Sequence, residues 1–117
     1  LLGRKQNETL WRFPGGFAEP SSNSYEDDAG RELREETTLE GGDITYIGSK
    51  KIDDWRYRSE RSKIKTSFFK AKYISGKEQA SDDLAEAKWF KLDGFNKEIL
   101  NDSHKELYNM LELNLGA

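Results

Sequence analysis

The chain has 117 residues, a net charge of −3, 35% charged residues, one histidine and no cysteine. This length suits a single core, in which three Trp, six Phe and five Tyr partly offset a low aliphatic content. The charge balance argues against a general nucleic-acid footprint, no apolar run is long enough to span a membrane, and disulfides are excluded; with no secretion signal visible, a cytoplasmic location is expected.

In chain order, Leu1-Leu2-Gly3-Arg4-Lys5 reads as the second half of a buried strand with nothing before it to pair. The domain, 1–117, is therefore expected to lack a first strand at its N-terminus. Trp11-Arg12-Phe13-Pro14 reads as an aromatic strand running into the turn Gly15-Gly16, where backbone can come close to a ligand or metal. A loop of about ten residues then leads to Ser24, an N-cap followed by Glu26, Asp27 and Asp28, acids that suit the positive end of a helix. Gly41-Gly42 is expected to close the connection after that helix.

Ile44–Gly48 and Ile64–Tyr73 are rich in β-formers, and Ala87–Phe90 reads as a further short strand. From a cap at Asn101-Asp102-Ser103, the spacing of Leu107, Met110, Leu111 and Leu113 predicts a second helix packed on the sheet. His104, in this cap-like context, is expected to be a surface helix residue.

Within the first helix Glu32, Glu35 and Glu36 stand at i, i+3 and i+4, so their side chains share one face. A Glu-rich run alone is usually a solvated face. Here the like charges repel by a few tenths of a kcal/mol per pair, and a divalent cation would relieve that. Oxygen ligands suit Mg²⁺ or Mn²⁺ rather than zinc.

The segment from Gly16 through Arg31-Glu32-Leu33-Arg34-Glu35-Glu36 resembles the Nudix box of the Nudix hydrolases. That pattern runs Gly, five residues, Glu, seven residues, Arg-Glu-hydrophobic-any-Glu-Glu-any-Gly-hydrophobic. Gly16, Arg31, Glu32, Leu33, Glu35, Glu36 and Leu39 match it. Counting from Gly16, Ser22 stands at the first Glu, the following gap is one residue longer, and Thr38 replaces the late Gly. The resemblance implies a Nudix fold of the α/β (α+β) kind, a mixed β-sheet sandwiched between helices. It also implies that Glu32, Glu35 and Glu36 hold the metal, that Gly16 adds a backbone carbonyl, and that Arg31 orients the helix through an ion pair. In this family a further acid, as metal ligand or general base, often comes from the loop before the Trp-bearing strand. Asp82, Asp83 and Glu86 are the candidates, with Asp82 or Asp83 favoured and Glu86 read as structural.

The stretch Asp53–Lys63 mixes Trp55, Arg56, Tyr57 and Arg58. It reads either as a charged hairpin loop or as a substrate contact, with arginine on diphosphate and an aromatic ring on base or ribose. The layout of the whole chain is similar to the Nudix domain of bifunctional NMN adenylyltransferase/ADP-ribose pyrophosphatases. That implies ADP-ribose, cleaved to AMP and ribose 5-phosphate. A Nudix-like domain that senses ADP-ribose without cutting it, and a Nudix hydrolase of nucleotide sugars, capped RNA or dinucleoside polyphosphates, stay open as alternatives. The expected partner is a small-molecule nucleotide, with a homodimer open as the assembly.

Overall fold

The first helix starts where the sequence places it. In the computed structural model, which describes residues 1–52, 64–82 and 84–116, α1 spans Tyr25–Thr37. Ser24 is extended and its hydroxyl accepts the Asp27 N–H at 3.0 Å, a cap of the kind worth about 1 kcal/mol. The helix ends at Thr38, which lies in the left-handed region at φ 61° and donates its N–H to the Arg34 carbonyl. A β-branched residue is strained there. Its hydroxyl offsets part of that by donating to the Lys77 carbonyl at 3.0 Å.

The strands form two antiparallel ladders. β1, Leu2–Lys5, pairs with a strand at Leu84–Lys88; β2, Glu40–Ile52, pairs with β3, Ile64–Ser75. The strand Leu84–Lys88 is β4. The N-terminal segment pairs with segments that follow it: Leu2 faces Lys88, and Gly3 also bridges Arg12. Of the aromatic stretch expected as a strand, Trp11 and Arg12 make single bridges, Trp11 running parallel to Leu100. β4 lies earlier than the sequence suggests, so Trp89 and Phe90 follow it; Trp89 instead donates its ring N–H to Glu78 and meets Tyr73 edge-on.

Gly41 and Gly42 are not a turn. They sit inside β2, opposite Tyr73 and Lys72, between irregularities in the register. The glycine at 41 answers to packing: a Cβ there would lie 2.8 Å from Leu33 of α1 and 3.1 Å from Ala71. Helix α1 therefore seats directly on the β2–β3 ladder. The second helix, α2, spans Asp102–Gly116, with Asn101 Oδ1 accepting the His104 N–H at 2.9 Å. It also packs on β2, where Met110 comes against Gly48.

A 3₁₀ turn at Lys97–Ile99 delivers Leu100, which is fully buried, into a core with Leu2 and Tyr108. Trp11, Phe13, Phe90 and Phe95 surround it, linked edge to face (Trp11–Phe90, Phe90–Phe95) and by a tilted Phe95–Tyr108 pair. Partly buried aromatic rings thus enclose a small core of leucines and Tyr108. Among the described residues, no helix is long and apolar enough to cross a membrane.

Candidate active site

The strap between Phe13 and Phe17 crosses α1 and brings backbone onto the box carboxylates. Gly15 donates its N–H to Glu36 Oε1 at 2.7 Å. Gly16 passes so close to Glu32 that a Cβ would stand 2.5–2.7 Å from its carboxylate atoms. Glu36 is buried, at 5% exposure, whereas Glu35 is exposed. The three carboxylates thus share a helix face but not an environment.

Arg31 sits among four carboxylates. Its guanidinium reaches Glu32 at 2.9 Å, Glu35 at 3.1 Å, and both Glu19 and Asp28 at 3.4 Å. It also donates to the Phe17 carbonyl at 3.4 Å, tying the strap to the helix. Desolvation works to lower the guanidinium; hydrogen bonds to Glu32, Glu35 and Asp28 outweigh it and hold the group further above its usual value. Such an ion pair is what the family resemblance implies for Arg31.

Asp28 was missed by that reading. It is buried, and its carboxylate accepts the Glu19 N–H at 3.2 Å, the Ser22 hydroxyl at 2.9 Å and Arg31 at 3.4 Å. Ser22, standing where the pattern has Glu, therefore reaches the arginine through Asp28. Burial pushes the Asp28 carboxyl up, but the bonds from Glu19, Ser22 and Arg31 prevail and hold it below the ordinary 3.8. A depressed folded value contributes stability above the unfolded value, lost as the pH falls through the folded one. Asp28→Asn should therefore lower the melting temperature most near neutrality, the difference from wild type shrinking below about pH 4. Thermal melts across pH check this; a gap independent of pH would show that the charge of Asp28 is not what matters.

Glu32 is shifted the other way. Desolvation raises it first; Arg31 opposes, while Glu35 and Asp82 add repulsion. Asp82 is thus near enough to be felt at the box. Its loop docks on the end of α1: Gln79 N–H bonds the Thr37 carbonyl at 3.0 Å and Ser81 N–H the Glu36 carbonyl at 2.9 Å, satisfying orphan helix carbonyls. Asp82 itself is exposed with φ 56°, a left-handed conformation that Asp tolerates better than most residues. Glu86 pairs with Arg4 at 2.9 Å on the β1–β4 ladder, the structural role expected. Asp83, and Trp55, Arg56, Tyr57 and Arg58, lie outside the described residues.

The donor set is all oxygen, as a hard divalent cation requires, and Gly16 keeps the space beside Glu32 clear of any side chain. In chemistry these residues fit such an ion. Among the described residues, no three acids are gathered as a ready-made metal cage; Arg31 bonds Glu32 and Glu35, and Gly15 donates to Glu36.

Fold and box together agree with a family model: residues 1–111 match the NUDIX domain, and the chain belongs to that family. Its fold is similar to a cocrystal structure of the NUDIX domain of Shewanella oneidensis NrtR complexed with ADP ribose. The TM-score is 0.73 at 22% identity, covering 97% of this chain and 75% of that one. No curated protein matches the chain.

Proposed function

We propose that this domain is a divalent-cation-dependent hydrolase that cleaves the diphosphate of ADP-ribose, giving AMP and ribose 5-phosphate. The observation that carries the reading is the strap: Gly15 and Gly16 are laid against Glu36 and Glu32, so all three box carboxylates are kept and two are addressed by backbone. Glu32, Glu35 and Glu36, with the Gly16 carbonyl, would hold Mg²⁺ or Mn²⁺. When bound, the ion neutralises diphosphate charge and makes a water nucleophilic near neutral pH. Water adds to one phosphorus, the bridging P–O bond breaks, and the departing phosphate takes the proton.

Arg31 keeps the helix carboxylates ordered, and Asp28 keeps Arg31 in place. Asp82 or Asp83 supplies the further acid as metal ligand or general base. For the substrate, Trp55, Arg56, Tyr57 and Arg58 are the proposed contacts, with arginine on phosphate and an aromatic ring on base or ribose. ADP-ribose is the first candidate because the similar NUDIX domain of NrtR was crystallised with it and the chain layout resembles ADP-ribose pyrophosphatases. A cytoplasmic location belongs to the same proposal; the lack of cysteine is compatible with it.

A second reading, binding of ADP-ribose without cleavage, is favoured by the engagement of Glu32 and Glu35 by Arg31. Product analysis separates the two. Incubated with Mg²⁺ and a panel of ADP-ribose, nucleotide sugars, capped RNA and dinucleoside polyphosphates, the protein should release AMP from ADP-ribose and lose that activity in excess EDTA. A chelator selective for zinc should have little effect. Full turnover in EDTA would overturn the mechanism; tight binding without products would establish the second reading.

A further inference from the structure

The strap that carries Gly15 and Gly16 needs an anchor on its other side, and α2 provides one. The Phe13 N–H donates to His104 Nδ1 at 2.8 Å, across 91 residues of chain. The two rings stack at 5.7 Å and 15°, and the Phe13 ring also meets Phe68 of β3, tilted, at 4.7 Å. Both the backbone and the side chain of Phe13 are thereby fixed, two residues before the Gly15 N–H that reaches Glu36 and three before Gly16. Pro14, between them, has a fixed φ, so little slack separates anchor and site. To accept that bond, Nδ1 must be the unprotonated nitrogen of the ring.

We propose that His104 is a positioning residue: by accepting the Phe13 N–H it sets how closely the Gly15-Gly16 strap approaches the carboxylates of α1. It touches no substrate and acts through the strap. The kinetic part of this inference rests on the hydrolase reading above; the spectroscopic part does not.

Three variants and one measurement on the wild type test it. In ¹⁵N-labelled wild-type protein, a coupling across the hydrogen bond between the Phe13 amide nitrogen and His104 Nδ1 is expected, and its absence would refute the anchor directly. His104→Phe keeps the stacked ring and removes the acceptor. His104→Ala removes both, and His104→Asn places an amide oxygen where Nδ1 stood. The Gly15 amide should exchange with solvent at least about tenfold faster in the Phe and Ala variants and close to the wild-type rate in the Asn variant.

For ADP-ribose, kcat should fall about ten- to a hundredfold in His104→Phe with KM little changed, and recover in His104→Asn, since small misplacements of reacting groups cost this much. Equal Gly15 exchange in wild type and His104→Phe would overturn the proposal, as would His104→Asn failing like His104→Phe. Should wild type leave ADP-ribose uncut, the hydrolase reading falls while the coupling and exchange data still decide the anchor.

Discussion

Glu36→Gln is expected to reduce ADP-ribose turnover by about a hundred- to a thousandfold, because a carboxylate that holds the cation is worth several kcal/mol in the transition state. Glutamine is the informative replacement. Glu36 is buried and accepts the Gly15 N–H at 2.7 Å, and the amide oxygen of Gln can still accept that bond while the charge is removed. An alanine would leave a partly buried N–H unpaired and confuse chemistry with folding. Glu35→Gln should show a similar loss for a different structural reason. Its side chain is exposed and pairs with Arg31, so that variant disturbs no packing at all. Thermal melts of both should stay within a few degrees of wild type, since each substitution relieves repulsion among neighbouring acids and Glu35→Gln gives up only an exposed ion pair with Arg31. Steady-state rates above about a tenth of wild type in either variant would mean that cleavage does not depend on these carboxylates.

Both the strengths and the failures of the sequence have physical causes. Helix α1 was legible because its signals are local: a Ser cap, acids in the first turn, and carboxylates whose spacing forces them onto one face. The box carboxylates were legible for the same reason. Their environments were not, because the burial of Glu36 comes from the strap and from the loop that docks at Ser81, both distant in sequence. Gly41-Gly42 misled because a glycine pair signals a turn and a close packing contact equally well; here Leu33 and Ala71 demand the absence of a Cβ at 41. The spacing of Asp28 from Arg31, i to i+3, was visible, but nothing local showed that Ser22 and the Glu19 N–H would bury the carboxylate between them. The bond from Phe13 to His104 has no local signal, because the two residues lie near opposite ends of the chain.

Gly16→Ala should be the most selective disruption of the site. A Cβ at 16 would come within 2.5–2.7 Å of the Glu32 carboxylate atoms, a distance that cannot be kept. What gives way decides the outcome. The obstruction is the far end of a flexible side chain, so Glu32 swings aside at little cost in stability. Gly16 also does not have a positive φ, so alanine meets no backbone strain there. The chemistry suffers instead: Glu32 leaves its place beside the strap, and turnover is expected to drop about tenfold or more with the melting temperature nearly unchanged. Gly15→Ala is the matched comparison, because a Cβ there meets nothing within 4 Å and the N–H that serves Glu36 is retained. Its loss should be far smaller. Equal rates in the two variants would show that the closeness of Gly16 to Glu32 has no part in catalysis, and equal, large losses in melting temperature would show that the strap acts on folding rather than on the site.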